Sequence, residues 1–261
     1  MLSLLFTLFL TTSAQAYMVI SDVDDTIKIT NSGDALQGAW RGLFTKDVFP
    51  AMPELYKAWA KDGATLHFVT ASPSLLEKKI RELLAHYEVP YETLTLRRNI
   101  FESKLKYKVR SISQIMDRYP EEEVVLVGDD VGQDPEVFQE LQKLYPGRVL
   151  SIYIRPVEAR EIPLDQIPYV TTFDIVNEEH QERRLSYSTM LNTARLVVAG
   201  DADKLFPKFA WCPTDLSGTR LPTESSPFVS AYAVKARIEM ICRARLSEMQ
   251  NDALLQVSLV Q

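Results

Sequence analysis

Asp22, Asp24 and Thr26 stand two residues apart in Ser21-Asp22-Val23-Asp24-Asp25-Thr26, directly after an apolar run. A backbone that stays extended there sends all three side chains to one side. Farther along, Thr70-Ala71-Ser72 follows Phe68-Val69, and Gly128-Asp129-Asp130 follows Val124–Val127, with Asp134 close behind. Carboxylates gathered at one place repel each other, and any phosphate, until a hard cation neutralises them. Mg²⁺ takes oxygen ligands, keeps part of its water and bridges carboxylates to phosphoryl groups. In such a set one ionised Asp can attack phosphorus and form an aspartyl-phosphate. A second, two residues on, can protonate the leaving alkoxide and later take the proton of the attacking water. A hydroxyl and an ammonium, here Thr70 and Lys108, suit the equatorial oxygens. Each residue also has a plainer reading. Asp134 before Pro135 has the form of a helix N-cap, Thr70 of a strand end, and Lys104 and Lys106 compete with Lys108.

The elements that must position these residues are legible in the apolar pattern. Tyr17–Ser21, Thr65–Val69, Thr93–Arg97, Val124–Val127 and Val149–Ile154 read as strands, and the first and fourth are apolar enough to be covered on both faces. Between them lie helical segments. Pro53–Lys61 starts on a helix-compatible proline and stops at Gly63. Leu75 to Tyr87, Val109 to Met116 and Val137 to Tyr145 each carry one apolar face. Strands alternating with helices predict an α/β fold: a three-layer, Rossmann-like parallel sheet whose ligands bind beyond the carboxyl ends of the strands. All the residues named above fall at those ends or at the start of the helix that follows. After Pro156 a Pro-rich and acidic connector carries one more expected strand, Tyr169–Phe173. Helical periodicity then returns in Arg184–Val198 and Pro227–Met249. The domain plan is 1–16 as leader, 17–157 as catalytic unit and 158–261 as connector and helical extension.

The 261 residues are 46% hydrophobic and 25% charged, which excludes a disordered, collagen-like or coiled-coil chain. A net charge of -6 leaves no electrostatic footprint for nucleic acid. Cys212 and Cys242 cannot build a tetrahedral zinc site by themselves; a disulfide and two buried thiols are both compatible with the sequence. Met1–Leu10 is apolar apart from Ser3 and Thr7, and Ala14 and Ala16 form a small-x-small cleavage pattern. Export to a periplasmic or secreted location is the expectation, against a hydrophobic helix packed on the fold. His67, His86 and His180 have no ligand-spaced partner and read as structural or solvated. No P-loop, dinucleotide-binding glycine motif, H-E-x-x-H or G-x-S-x-G occurs.

Taken together, ISDVDDTIKIT, FVTASP, Lys108-x-x-x-Ile112-x-x-Ile115, Tyr119-Pro120 and LVGDDVGQDPEVF resemble the haloacid dehalogenase superfamily. With MPELYKAW, LHFVTASP and VLSIYIRPV, residues 17–157 look more narrowly like the catalytic domain of the actin-patch-protein type of phosphatidate phosphatase. The resemblance implies that Asp22 is the nucleophile and Asp24 the general acid/base. It implies that Asp22, the backbone carbonyl of Asp24 and Asp129 hold Mg²⁺, with Asp134 or Asp130 in support. It implies that Thr70 and Lys108 hold the phosphoryl group. Positions 70, 74, 130 and 131 carry Thr, Ser, Asp and Val where the family more often shows Ser, an aromatic, Ser and Gly. Thr70 keeps the hydroxyl. Ser74 weakens the lipid preference more than the chemistry.

Only 43 residues separate Thr26 from Thr70 and 37 separate Thr70 from Lys108, which leaves room for a minimal cap and no more. An uncapped site tolerates bulky or membrane-held substrates. The loop Thr30–Pro50, with Trp40, Phe44 and Phe49, then either touches an acyl chain or bilayer, as a peripheral membrane contact, or tucks its aromatics onto the sheet edge. Phe206, Phe209 and Trp211 read as core. The expected function is a Mg²⁺-dependent phosphomonoester hydrolase acting on phosphatidate or another lipid phosphate. The alternatives are a broad phosphatase for soluble esters, a phosphoryl-accepting signalling domain and a non-catalytic binding protein. Signalling receivers separate their acidic pair from the acceptor Asp by two strands, whereas Asp22 and Asp24 share one strand end.

Overall fold

The computed structural model describes residues 17–31, 45–99 and 101–259, with side chains to 251. Six strands form one sheet: β1 (Tyr17–Ser21), β2 (Thr65–Pro73), β3 (Thr93–Arg97), β4 (Glu123–Asp129), β5 (Val149–Arg155) and β6 (Ile167–Pro168). Their order is β3-β2-β1-β4-β5-β6, and every neighbouring pair is parallel. The helices are α1 (Met52–Lys61), α2 (Glu77–His86), α3 (Lys104–Arg118), α4 (Asp134–Leu144), α5 (Thr172–Gln181), α6 (Tyr187–Ala199), α7 (Ala202–Leu205), α8 (Pro222–Ser225) and α9 (Val229–Leu259). This is the expected α/β fold, with β1 and β4 side by side where the strand order reverses. Open α/β sheets bind their ligands at that reversal.

Period-two alternation divides β1 between two cores. Tyr17 and Val19 face one side with α1, α2, α5, α6 and α9; Met18 and Ile20 face the other with α3 and α4. The C-terminal helices are therefore continuous with the sheet's own core. Phe173, Val176, Met190, Val197, Val234 and Ile238 pack in one cluster with Val19 and Val125. A buried polar knot reinforces the join, because Glu179 on α5 accepts from Trp59 Nε1 at 3.0 Å and from the Tyr153 hydroxyl at 2.6 Å, and pairs with Arg184. Phe206 is buried, and Phe209 and Trp211 pack half-buried against the same cluster, as expected. Among the described residues no helix is long and apolar enough to cross a membrane.

The segment Tyr169–Phe173 is not a strand. The sheet takes only Ile167–Pro168, and the chain turns into α5 at Thr171, whose hydroxyl and backbone form a capping box with Asp174. Asp174 accepts the amides of Val170 and Thr171 at 3.0 and 2.9 Å, so capping chemistry overrides the β-branched composition. Phe49 is buried against the Arg155 guanidinium, 3.7 Å from ring centroid to carbon, and does not reach for an acyl chain. Trp40 and Phe44 lie outside the described residues, as does the leader. Cys212 and Cys242 are joined in a disulfide, with Cα atoms 5.3 Å apart. It ties α9 to the segment that follows α7.

Candidate active site

The extended backbone of β1 stops at Ser21. Ile27 and Lys28 then donate their amides to the Val23 carbonyl, closing a tight turn over 23–28. Asp25 occupies the left-handed region at φ 55°, which Asp tolerates better than most residues. Its carboxylate accepts the amides of Thr30 and Asn31 at 2.9 and 2.8 Å, pinning the turn. The shared side expected for Asp22, Asp24 and Thr26 is thus only partly kept. Asp22 and Asp24 line a cavity of about 180 Å³ beyond the sheet edge. Thr26 is fully buried behind them and donates to Asp129 Oδ2 at 3.1 Å.

Thr70, Lys108 and Asp129 line the same cavity, joined by Ser72 and Arg97. Lys108 prevails over Lys104 and Lys106 for a geometric reason. It shares the i, i+4, i+7 face of α3 with Ile112 and Ile115, which packs on the sheet and aims the first turn at the strand ends. Its side chain is 6% exposed; the ammonium pairs with Asp22 Oδ2 at 3.0 Å and with Asp134 at close range. Lys104 and Lys106 are exposed.

Asp134 is not a helix cap. It is the first residue of α4; Gln133 precedes it, and α4 has no side-chain cap. The buried Asp134 carboxylate turns instead to Lys108 and to the Asp129 amide, at 3.3 Å. Carboxylate oxygens of Asp22, Asp129 and Asp134 lie within 4.8 Å of one another. Asp130 points elsewhere, accepting the amides of Val157, Glu158 and Arg160 at 2.7, 2.8 and 2.9 Å and so holding the loop after β5. Asp24 keeps its carboxylate outside the three-carboxylate group. It accepts from Ser72 Oγ at 2.5 Å and from Thr70 Oγ1 at 3.2 Å.

Sequence reasoning passed over Ser72 and Arg97 as site residues. Ser72 was findable from its two-residue offset to Thr70 on a strand that runs to Pro73. Arg97 could be placed only once β3 was known to lie beside β2, where it pairs in register with Pro73.

Burial dominates the electrostatics. It pushes the Asp22 carboxyl up to about 7, opposed by Lys108 and reinforced by Asp134 and Asp24. Burial likewise raises Asp24, against the Ser72 hydrogen bond, and raises Asp129 well above the carboxylate range, with Asp134 and Asp22 adding repulsion. Burial alone would lower the Lys108 ammonium, but Asp134, Asp22 and Asp129 outweigh it and hold it raised. Lys108 is the one ammonium paired among the described residues with the three-carboxylate group of Asp22, Asp129 and Asp134, so that group is short of positive charge. Asp22 Oδ1 is also buried without a hydrogen-bond partner. An all-oxygen donor set with an unpartnered carboxylate oxygen fits a hard divalent cation.

Gly128 makes the approach of Asp134 feasible. A Cβ there would stand 2.4 Å from Asp134 Oδ2. Gly128→Ala is expected to displace Asp134 and lower turnover roughly 10–100-fold while the chain still folds. Steady-state kinetics beside a thermal melt would check this, and unchanged turnover would refute it.

A larger depression of about 630 Å³ beside Asp47, Asp201 and Lys204 brings no such group together. His67 is buried with Nδ1 on Thr93 Oγ1 at 2.8 Å, His180 Nδ1 lies 3.0 Å from the Leu185 carbonyl, and His86 is exposed. Among the described residues none of them joins a metal-binding group.

Residues 17–156, β1 through the end of β5, match the family described as "Phosphatidate phosphatase APP1, catalytic domain". The chain belongs to that family. Phosphatidate phosphatase APP1 of Saccharomyces cerevisiae is 27% identical over 157 residues, covering 52% of this chain and 25% of that protein. An uncharacterized protein of Schizosaccharomyces pombe is 28% identical over 150 residues, covering 53% and 25%. The chain thus spans about a quarter of the length of these curated relatives. Solved structures resemble it more loosely. A Pnkp1/Rnl/Hen1 complex chain has a TM-score of 0.39 at 17% identity, covering 54% of this chain and 47% of that one. A phosphoserine phosphatase from T. onnurineus has 0.36 at 13%, covering 58% and 88%. Similarity at that level carries no weight for function. Every residue of the acidic cavity named above falls inside the family match, so the phosphatidate phosphatase family and the acidic cavity coincide on one stretch of chain.

Proposed function

We propose that the chain is a Mg²⁺-dependent phosphomonoester hydrolase working through an aspartyl-phosphate on Asp22, with phosphatidate or another lipid phosphate as substrate. The observation that carries this reading is the convergence of Asp22, Asp24, Thr70, Lys108, Asp129 and Asp134 from three strand ends and two helix starts. Asp22, Asp129 and Asp134 would hold the Mg²⁺, which when bound would supply positive charge against the phosphoryl oxygens. An Asp22 oxygen forms a bond to phosphorus as the ester P–O bond breaks. Asp24, whose carboxyl burial raises above its ordinary value, gives its proton to the leaving alkoxide. Water then attacks phosphorus and returns a proton to Asp24, releasing phosphate and restoring Asp22. Thr70 and Lys108 steady the equatorial oxygens throughout.

The catalytic unit in this reading is 17–157, and 158–261 is a helical buttress on one face of its sheet. The Cys212–Cys242 disulfide supports an oxidising compartment, in line with export. Ser74, exposed at the end of β2 where the family favours an aromatic, supports the alternative of soluble phosphomonoesters.

The test is phosphate release from phosphatidate in mixed micelles and from soluble phosphomonoesters, each with Mg²⁺ and with chelator. Chelation is expected to remove nearly all activity and added Mg²⁺ to restore it; full activity after exhaustive chelation would sink the mechanism. Preference for phosphatidate supports the lipid reading. Release from soluble esters alone moves the protein to the alternative with the same catalytic residues.

A further inference from the structure

Two large apolar side chains stand almost fully in solvent beside the catalytic cavity: Leu75 is 86% exposed and Phe101 92%. Their loops begin side by side. Pro73 and Arg97 are register partners at the carboxyl ends of β2 and β3, and both lie near the mouth, lining the cavity. Leu75 comes two residues after Pro73, within the single 3-10 turn Ser74–Leu76, so it cannot stray more than about 7 Å along the chain. Phe101 sits between Arg97 and Lys104, which both line the cavity. It is presented by a formed turn: Asn99 Oδ1 accepts the Phe101 amide at 3.0 Å, and Arg97 Nη1 donates to the Glu102 carbonyl at 3.2 Å.

The charge around this pair is basic in a chain that is acidic overall. Residues 97–106 hold Arg97, Arg98, Lys104 and Lys106 against the single acid Glu102, while the whole chain carries -6. Glu102 is neutralised by Arg110 at 2.7 Å, and Glu77, just past Leu75, by Arg81 at 2.8 Å. Arg97 and Lys104 have no carboxylate partner among the described residues, and Arg98 and Lys104 are exposed. Leu164 is just as exposed, at 89%, but Glu161 and Asp165 flank it, and it does not line the acidic cavity.

We propose that Leu75 and Phe101, with the basic rim of Arg98 and Lys104, dock the mouth of the cavity onto an anionic lipid surface. Apolar side chains on short loops insert at the headgroup boundary, and flanking Lys and Arg are drawn to anionic headgroups. Such docking holds the mouth against the plane in which a lipid phosphate would present its headgroup. In that respect it rests on the reading of the cavity as a phosphatase site, but binding is measured apart from turnover.

The experiment sediments the full chain with phosphatidylcholine vesicles with and without phosphatidylserine, neither containing phosphatidate. The comparison is Leu75→Ser with Phe101→Ser, both solvent-exposed. The wild type is expected to pellet with the anionic vesicles, less so at high salt. The double variant should partition at least roughly tenfold less, with unchanged hydrolysis of p-nitrophenyl phosphate and an unchanged melting temperature. Wild-type protein left in the supernatant, or a variant that pellets equally well, overturns the proposal. So does equal binding to neutral vesicles, which removes the role of the rim. Self-association that the double variant abolishes, without vesicle binding, would make the patch a protein contact instead. Vesicle binding without hydrolysis of any phosphomonoester would support the docking surface and overturn the proposed function alone.

Discussion

Asp22→Asn is expected to abolish phosphate release, by roughly a thousandfold or more, while the protein folds as before. The amide is nearly isosteric with the carboxylate but cannot attack phosphorus. Folding should survive because the native state gains little from this charge. Burial pushes the Asp22 carboxyl up to about 7, so ionising it at neutral pH costs the metal-free protein stability. The sign follows from the raised value. The unfolded chain ionises Asp22 near its ordinary 3.8, the native state only near 7, and stability falls as pH rises across that window. Asn removes this slope. Thermal melts in chelator should give Asp22→Asn a midpoint equal to or above the wild type at pH 7, alongside lost turnover. A variant that unfolds would mean that Asp22 had been misread as catalytic, and one that turns over normally would remove it from the mechanism.

Lys108→Met carries the second large effect, on stability and activity together. The ammonium stands between Asp22 and Asp134, its side chain 6% exposed, and is the one cation paired to that acidic group among the described residues. Methionine fills a similar volume but leaves the carboxylates uncompensated in a buried place. Breaking a buried pair in this way costs about 3–5 kcal/mol. The loss should be largest at neutral pH and shrink toward pH 5, where the raised carboxyls Asp22 and Asp129 take up protons. Urea unfolding at both pH values, in chelator and in Mg²⁺, would measure it. Added Mg²⁺ is expected to recover part of the stability by neutralising the same carboxylates. Turnover should stay at least roughly a hundredfold low, because the donor to the phosphoryl oxygens is gone. Full stability in chelator at pH 7, or turnover near the wild type, would contradict this account.

These effects are large because the site concentrates charge at one sheet edge, and that edge was legible before any coordinates. Apolar strand runs ending in Asp22, Thr70 and Asp129, with Lys108 on the apolar face of a helix, are local facts. Side-chain period depends on the backbone a few residues either way, and so does the α/β alternation that places every strand end on one side. The matching motifs over 17–157 rest on the same local patterns.

Apart from one local cap, what the sequence left open turns on contacts between residues distant along the chain. Asp134 reads equally as a cap or a ligand until Lys108 and the Asp129 amide are brought to it, 26 and 5 residues away. Asp130 looks like its equal until the loop after β5 arrives, and 27 residues separate it from the Val157 amide. Tyr169–Phe173 has strand composition, but a capping box only four residues long decides its fate, and the sheet edge takes just Ile167–Pro168. Whether the C-terminal helices stand apart or share the core cannot be read from their periodicity, which reports that a face is buried and not what buries it. The pairing of Cys212 with Cys242 across 30 residues is of the same kind. Sequence by itself determined which chemistry could be assembled, because residue type and local period are written in neighbouring positions. Only the tertiary structure decided which carboxylates share the lysine, because the strand order that sets β1 beside β4 is fixed by packing of the whole chain.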